Sequence, residues 1–232
     1  MALDAKQSLP DGVDYANLVT NYVERFASKL TCFDDIRPHL AALRKTPDVP
    51  HQPLTSETSI TQRINAEKIA LFFEQGASAD DLLQAYIESL EHVHEPSTEM
   101  QPGDDLALLA VYVTLAKSSS VENLIQAAAI ASYACEKSAR AYKLRLLLIR
   151  LLLRLGCLKL AVYHFDALEL KAVQLDTMSH YLFDRNASFG GSHAADVGNH
   201  WEGGIKDFYE LSAFEVPEAL GRACLLYTSP SP

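Results

Sequence analysis

Histidine beside carboxylate is the pairing from which most hydrolytic and metal-assisted chemistry is built, and two places in this sequence bring them together. Glu91-His92-Val93-His94-Glu95 sets two imidazoles two residues apart between two carboxylates. On a helix that spacing sends the rings to diverging sides, and Pro96 follows at once, so the segment reads as a solvated helix end rather than a metal site. His193, Asp196 and His200 share the stretch Phe189–Gly204 with Trp201, and a helical hydrolase or transferase using them is the enzyme-class alternative. His164 precedes Phe165 and is expected to face solvent or a neighbouring helix. No H-E-x-x-H occurs, and neither Gly190-Gly191 nor Gly203-Gly204 follows a strand as a phosphate cradle requires. Cys32, Cys135, Cys157 and Cys224 lie far apart with no C-x-x-C pair, so they read as reduced thiols of a cytosolic chain. The catalytic, cofactor and metal assignments are therefore none.

Composition points the same way. The chain has 232 residues, 48% of them hydrophobic and 22% charged, with ten glycines and ten prolines, which is globular and lean for a turn-rich β protein. Its net charge of −10 is localised. Residues 47–105 hold twelve acids against Arg63 and Lys68, an imbalance equal to that of the whole chain. From Lys137 to Phe165 there are seven bases and no acid. DNA binding by the chain as a whole is excluded by that division. Met1–Gly12 carries Asp4, Lys6 and Asp11 with no apolar core, unlike a signal peptide. Leu144–Phe165 is the greasiest stretch, but Arg145, Arg150, Arg154 and Lys159 interrupt it, so no membrane span is expected.

The elements that must position any site are helices. Tyr15, Leu18, Val19, Tyr22, Val23, Phe26 and Leu30 repeat as one helical face. Thr31 is placed to cap a second helix that buries Phe33, Ile36, Leu40 and Leu43 and carries Pro38 in its first turns. A Pro-containing linker spans 46–59. Helices are then expected over Ile60–Glu74, with Gly76 as the left-handed stop, and over Ala79–Val93, opened by a Ser78/Asp81 capping box with Leu82, Leu83, Tyr86, Ile87 and Leu90 inside. After a loop at Glu95–Gly103 come Asp104–Lys117, Val121–Ser138, Ala139–Leu155, Leu158–Leu168 and Leu175–Ala187. No run alternates with period two. The expectation is an all-α chain of stacked helix hairpins, an α-α superhelix. It is divided into an N-terminal segment (1–13), a hairpin (14–45), the linker, helical repeats (60–188), a Gly-containing continuation (189–223) and a non-native tail (224–232).

The Ala139–Leu155 helix carries leucines nearly all round, which suits a helix sandwiched between layers. Arg140, Lys143, Arg150 and Arg154 form a narrow basic ridge on it, the candidate partner contact for acidic protein or RNA phosphate, against a plain solvent stripe. In the next hairpin Gly156 permits a positive φ, Ala161 lets the paired helix approach, and Phe165 fills the space one turn on. That combination resembles the second half of a tetratricopeptide repeat.

A longer match is more specific. Lys143-Leu-Arg-Leu-Leu-Leu-Ile-Arg150, Leu155-Gly156, Ala161, Tyr163, Leu168 and Val173-Gln-Leu-Asp-Thr177 resemble the auxiliary subunit of the NatB N-terminal acetyltransferase complex. Tyr209-Glu-Leu-Ser-Ala-Phe-Glu-Val-Pro-Glu218 and Cys32-Phe-Asp-Asp-Ile-Arg-Pro38 are similar to two further stretches of that family. The likeness covers Leu18 to Arg222 and is thinnest from Thr46 to Asp104. Gly190, Gly191, Gly198, Gly203 and Gly204 depart from the family's helical continuation.

The resemblance implies a non-catalytic, tetratricopeptide-like scaffold in the cytoplasm. It would hold a GNAT-type catalytic subunit and bring it to ribosomes, for acetylation of N-termini beginning Met-Asp, Met-Glu, Met-Asn or Met-Gln. A generic helical adaptor for another pathway is the alternative. The family's chains are several times longer, so this sequence is expected to be an internal piece. Cys224–Pro232 looks like translated adapter sequence and is set outside the functional reading.

Overall fold

The computed structural model describes residues 14–43, 53–92, 101–170, 174 and 177–183. Among these there are helices and turns and no strand. The order is α1 (Tyr15–Phe26), α2 (Cys32–Ile36) running into a 3-10 turn (Arg37–Ala42), α3 (Glu57–Phe72), α4 (Ala79–Ser89) with a 3-10 extension (Leu90–His92), α5 (Asp104–Lys117), α6 (Val121–Lys137), α7 (Tyr142–Arg154), α8 (Leu158–Asp166) and α9 (His180–Phe183). Consecutive helices pack on each other, the all-α hairpin stacking expected of a solenoid. The chain divides into two compact units: residues 1–119 with 133–141, and residues 120–132 with 142–232.

In the first unit the core is Val19, Val23, Ala27, Ile36, Leu40, Leu43 and Ile69, with Tyr15, Tyr22, Phe33 and Phe73 against it. Asp14 opens α1 by accepting the Ala16 and Asn17 N–H groups at 3.1 and 3.4 Å. The helix stops at Phe26, short of Leu30, which is 79% exposed. The cause is Asn65 of α3. Its buried amide donates to the carbonyls of Ala27 and Lys29, both at 2.8 Å, satisfying the buried Ala27 acceptor and adding a second donor to the Lys29 carbonyl, which also accepts the Cys32 N–H at 3.1 Å.

Thr31 stands at the N-cap of α2 but caps no backbone N–H; its hydroxyl donates to Asp35 at 3.1 Å. Pro38 lies at the start of the 3-10 turn, where its missing N–H costs least.

α3 begins at Glu57, three residues before the apolar periodicity, because Ser56 and Ser59 form a reciprocal capping box. Its stop is not Gly76. Glu74 takes the left-handed conformation (φ 57°), with Gln75 N–H donating to Ala70 O at 2.9 Å and Glu74 N–H to Leu71 O at 3.1 Å, the paired bonds of a Schellman end. Gly76 is needed for space instead: a Cβ there would lie 2.4 Å from Leu71 Cδ2.

The Ser78/Asp81 box opens α4, and hydrogen bonds from Ser78 hold the Asp81 carboxyl below the usual carboxylate range. Leu82 and Tyr86 are buried, while Ile87, expected inside, is exposed.

The described part of the second unit centres on α7 and α8, with α9 packed on both. α7 starts at Tyr142 rather than Ala139, since Ser138 N–H still closes α6 on Ala134 O and residues 138–141 form a turn. It buries Leu144, Arg145, Leu148, Ile149 and Leu151–Leu153, a wide apolar arc, at about 2 kcal/mol for each buried leucine. α8 ends at Asp166, two residues before the expected Leu168, with Glu169 left-handed (φ 53°).

Candidate interaction surface

The α7–α8 hairpin is where sequence-predicted residues are best placed. Gly156 has φ 76°, and Cys157 N–H and Gly156 N–H donate to Leu152 O and Leu153 O at 2.8 and 3.2 Å, closing α7 in a Schellman end. No atom lies within 4 Å of the Cβ position, so the glycine answers a backbone demand and not a steric one. Ala161 and Phe165 are fully buried one turn apart on α8. His164 is buried beside them, with the exposed Tyr163 ring edge-on at 5.2 Å, so of the two expected environments it takes the interior one.

The basic ridge resolves into a stripe of three. At about 100° per residue, Lys143, Arg150 and Arg154 fall within about 40° of one another, and all three are exposed while the opposite arc of α7 is buried. Arg140 does not join them by helical spacing. It precedes the helix, half-buried, in the 138–141 turn that belongs to the first unit. The Arg150 guanidinium stands 6.0 Å from the centroid of the Tyr181 ring of α9, so this residue also packs within its own unit. α8 exposes Lys159, Leu160 and Tyr163, the last at 63%. Cationic heads and apolar bodies there offer contact area.

The acidic block uses its own bases. Arg63 pairs with Glu67 at 2.8 Å, and Lys68 with Asp105 at 2.6 Å. Glu67 is buried, and its other oxygen accepts the Ala77 N–H at 3.0 Å, which fixes the α3–α4 turn. Asp80, Asp81, Glu88 and Glu91 remain exposed on α4 and its extension.

Burial moves other groups. The Cys32 thiol is pushed up to about 11 by desolvation first and by Asp35 second. Tyr22 rises to about 12 because its hydroxyl donates to Asp35 at 2.8 Å. Burial raises Asp104 to about 6, against the lowering effect of its bonds from Ser138 and Gln101. Sequence reasoning passed over Asn65 and Asp104. An amide in an otherwise apolar helical face was the available sign for Asn65; Asp104 sits where any helix favours an acid, so nothing marked it.

Among the described residues no three His, Cys, Asp or Glu side chains cluster to hold a metal, and no helix is long and apolar enough to cross a membrane. His92 is half-buried in the 3-10 extension, whereas His94, Glu95, His193, Asp196 and His200 lie outside the described residues.

Comparison with known proteins places these features in context. Residues 2–224 match the family model described as the N-acetyltransferase B complex (NatB) non-catalytic subunit. The N-terminal acetyltransferase B complex subunit arm1 of Schizosaccharomyces pombe is 24% identical over 242 aligned positions, covering 90% of this chain and 29% of that protein. The Phagocyte signaling-impaired protein of Drosophila pseudoobscura pseudoobscura is 25% identical over 197 residues, covering 72% of this chain and 20% of that protein. The chain thus spans between a fifth and a third of the length of these relatives.

Proposed function

We propose a scaffold reading that starts from one premise: the chain belongs to the family of non-catalytic subunits of the N-acetyltransferase B complex. It is accordingly not the acetyltransferase itself. The observation that carries the reading is the family match over residues 2–224, and the hairpin stacking of wide apolar helices supports it. Such helices cannot bury themselves singly, so they build a platform whose outer faces are free for partners.

In this reading the tetratricopeptide-like hairpins hold a GNAT-type catalytic subunit in the cytoplasm and bring it to ribosomes. The clients are nascent chains beginning Met-Asp, Met-Glu, Met-Asn or Met-Gln. The stripe of Lys143, Arg150 and Arg154 is the contact we assign to a partner's acidic groups or to ribosomal RNA phosphate. Affinity capture of the tagged chain tests the reading: an acetyltransferase should co-purify, and its absence would leave only a generic helical adaptor. Reversing Arg154 to Glu should lower capture of that enzyme or of ribosomes without changing thermal stability. Arg150 is kept out of this variant because it also packs on Tyr181. Unchanged capture removes the stripe.

A further inference from the structure

Deep in the first unit, the start of α5 is tied to the end of α6 by one carboxyl group. Asp104 is 6% exposed. Its Oδ2 accepts the Ser138 hydroxyl at 2.7 Å and the Gln101 N–H at 3.1 Å, while its Oδ1 is buried with no hydrogen-bond partner. Gly103 ahead of it is pressed so closely on α4 that a Cβ would lie 1.9 Å from Ser89 Oγ, which leaves the turn little room to move.

The groups facing this carboxyl are known element by element. α4 supplies the buried Tyr86 phenol and Ser89, whose hydroxyl donates to Tyr86 O. α5 itself supplies Asp105, whose charge is taken up by Lys68 of α3 at 2.6 Å. α6 supplies Ser138, with Tyr133 and Cys135 around the Tyr86 ring, and ends in the exposed Glu136 and Lys137. None of the buried neighbours is a cation. A negative Asp104 is therefore solvated by two donors and countered by no charge, a poor exchange for water.

We propose that the buried Asp104 site is a proton-operated latch: α5 closes on the last turn of α6 when the carboxyl is neutral, and an uncompensated buried charge makes that closure less favourable although it strengthens the Ser138 bond itself. The orphan Oδ1 is the atom that takes the proton, since a proton there leaves both bonds to Oδ2 intact. The direction follows from the burial of a carboxyl held by two donors and no ion pair, and the raised value agrees with it. Folded Asp104 binds its proton up to about 6, against 3.8 for the free side chain. The latch is thus strongest below the unfolded value, weakens through the window between the two, and is fully loosened above the folded one. The turn it holds, residues 138–141, is the last of the first unit before α7 begins.

Two measurements on the 232-residue chain test the latch. Carboxyl-detected NMR should show Asp104 titrating near 6. Hydrogen exchange of the amides of residues 134–141, corrected for intrinsic chemistry, should lose roughly tenfold in protection between pH 5 and 7.5. Asp104→Asn should abolish that pH dependence. Ser138→Ala removes a bond that favours the charged form, so the Asp104 midpoint should move further up, a displacement that a merely structural serine would not produce. An Asp104 midpoint near 4 in the unaltered chain, or Asp104→Asn retaining the exchange profile, would overturn the proposal. The NMR readout stands even if a variant fails to fold.

Discussion

Both units end a helix on a left-handed backbone stop, at Glu74 and at Gly156, but the first adds side-chain ties from distant elements. In the first, side chains reach across to satisfy backbone: Asn65 finishes α1, Glu67 fixes the α3–α4 turn, and Asp104 joins α5 to α6. In the second, backbone bonds around Gly156 close the α7–α8 turn, and aliphatic and aromatic side chains fill the seam. A polar tie specifies one register but becomes costly when half broken, whereas an apolar seam tolerates change in proportion to the volume removed.

That contrast can be broken in four places. Phe165→Ala should cost the most, about 3–5 kcal/mol read as a drop in the urea midpoint, because removing a fully buried ring leaves a cavity in the α7–α8 seam. Asn65→Ala should cost about 1–2 kcal/mol by the same measurement, since it leaves the Ala27 carbonyl without its donor and takes one of two donors from the Lys29 carbonyl. A loss under about 0.5 kcal/mol would show that water replaces the amide and that the first unit's polar tie is dispensable. Gly156→Ala should cost about 1 kcal/mol, all of it backbone strain, as nothing lies near the added methyl. The smallest effect has the opposite sign. Glu74→Gly places glycine at a left-handed stop now held by a side chain and should stabilise by about 0.5–1 kcal/mol in thermal melts.

Local chemistry was legible wherever it was written in adjacent residues. The Ser78/Asp81 box, the positive φ of Gly156 and the wide buried arc of α7 follow from spacing alone. What spacing could not give was set by residues far along the chain. The end of α1 depends on an amide 38 positions later, and the turn before α7 depends on a carboxyl 34 positions earlier. The two glycine assignments divide for the same reason. Gly156 answers its own dihedral angles, whereas Gly76 answers the approach of Leu71, and the left-handed stop fell to Glu74, which no propensity favours. Of the candidate ridge, the three residues on α7 keep their helical register; Arg140 left it because the helix begins two residues after it.

Asn65 gives α1 a length that its own segment does not encode. During synthesis, a chain that has emerged only as far as the proline linker has every reason to continue winding past Phe26, since its apolar repeat runs on to Leu30. Only the arrival of α3 cuts it back. The first helix is in that sense trimmed after it is made, and a ribosome-stalled fragment ending before residue 65 should carry a turn of helix that the finished protein has lost.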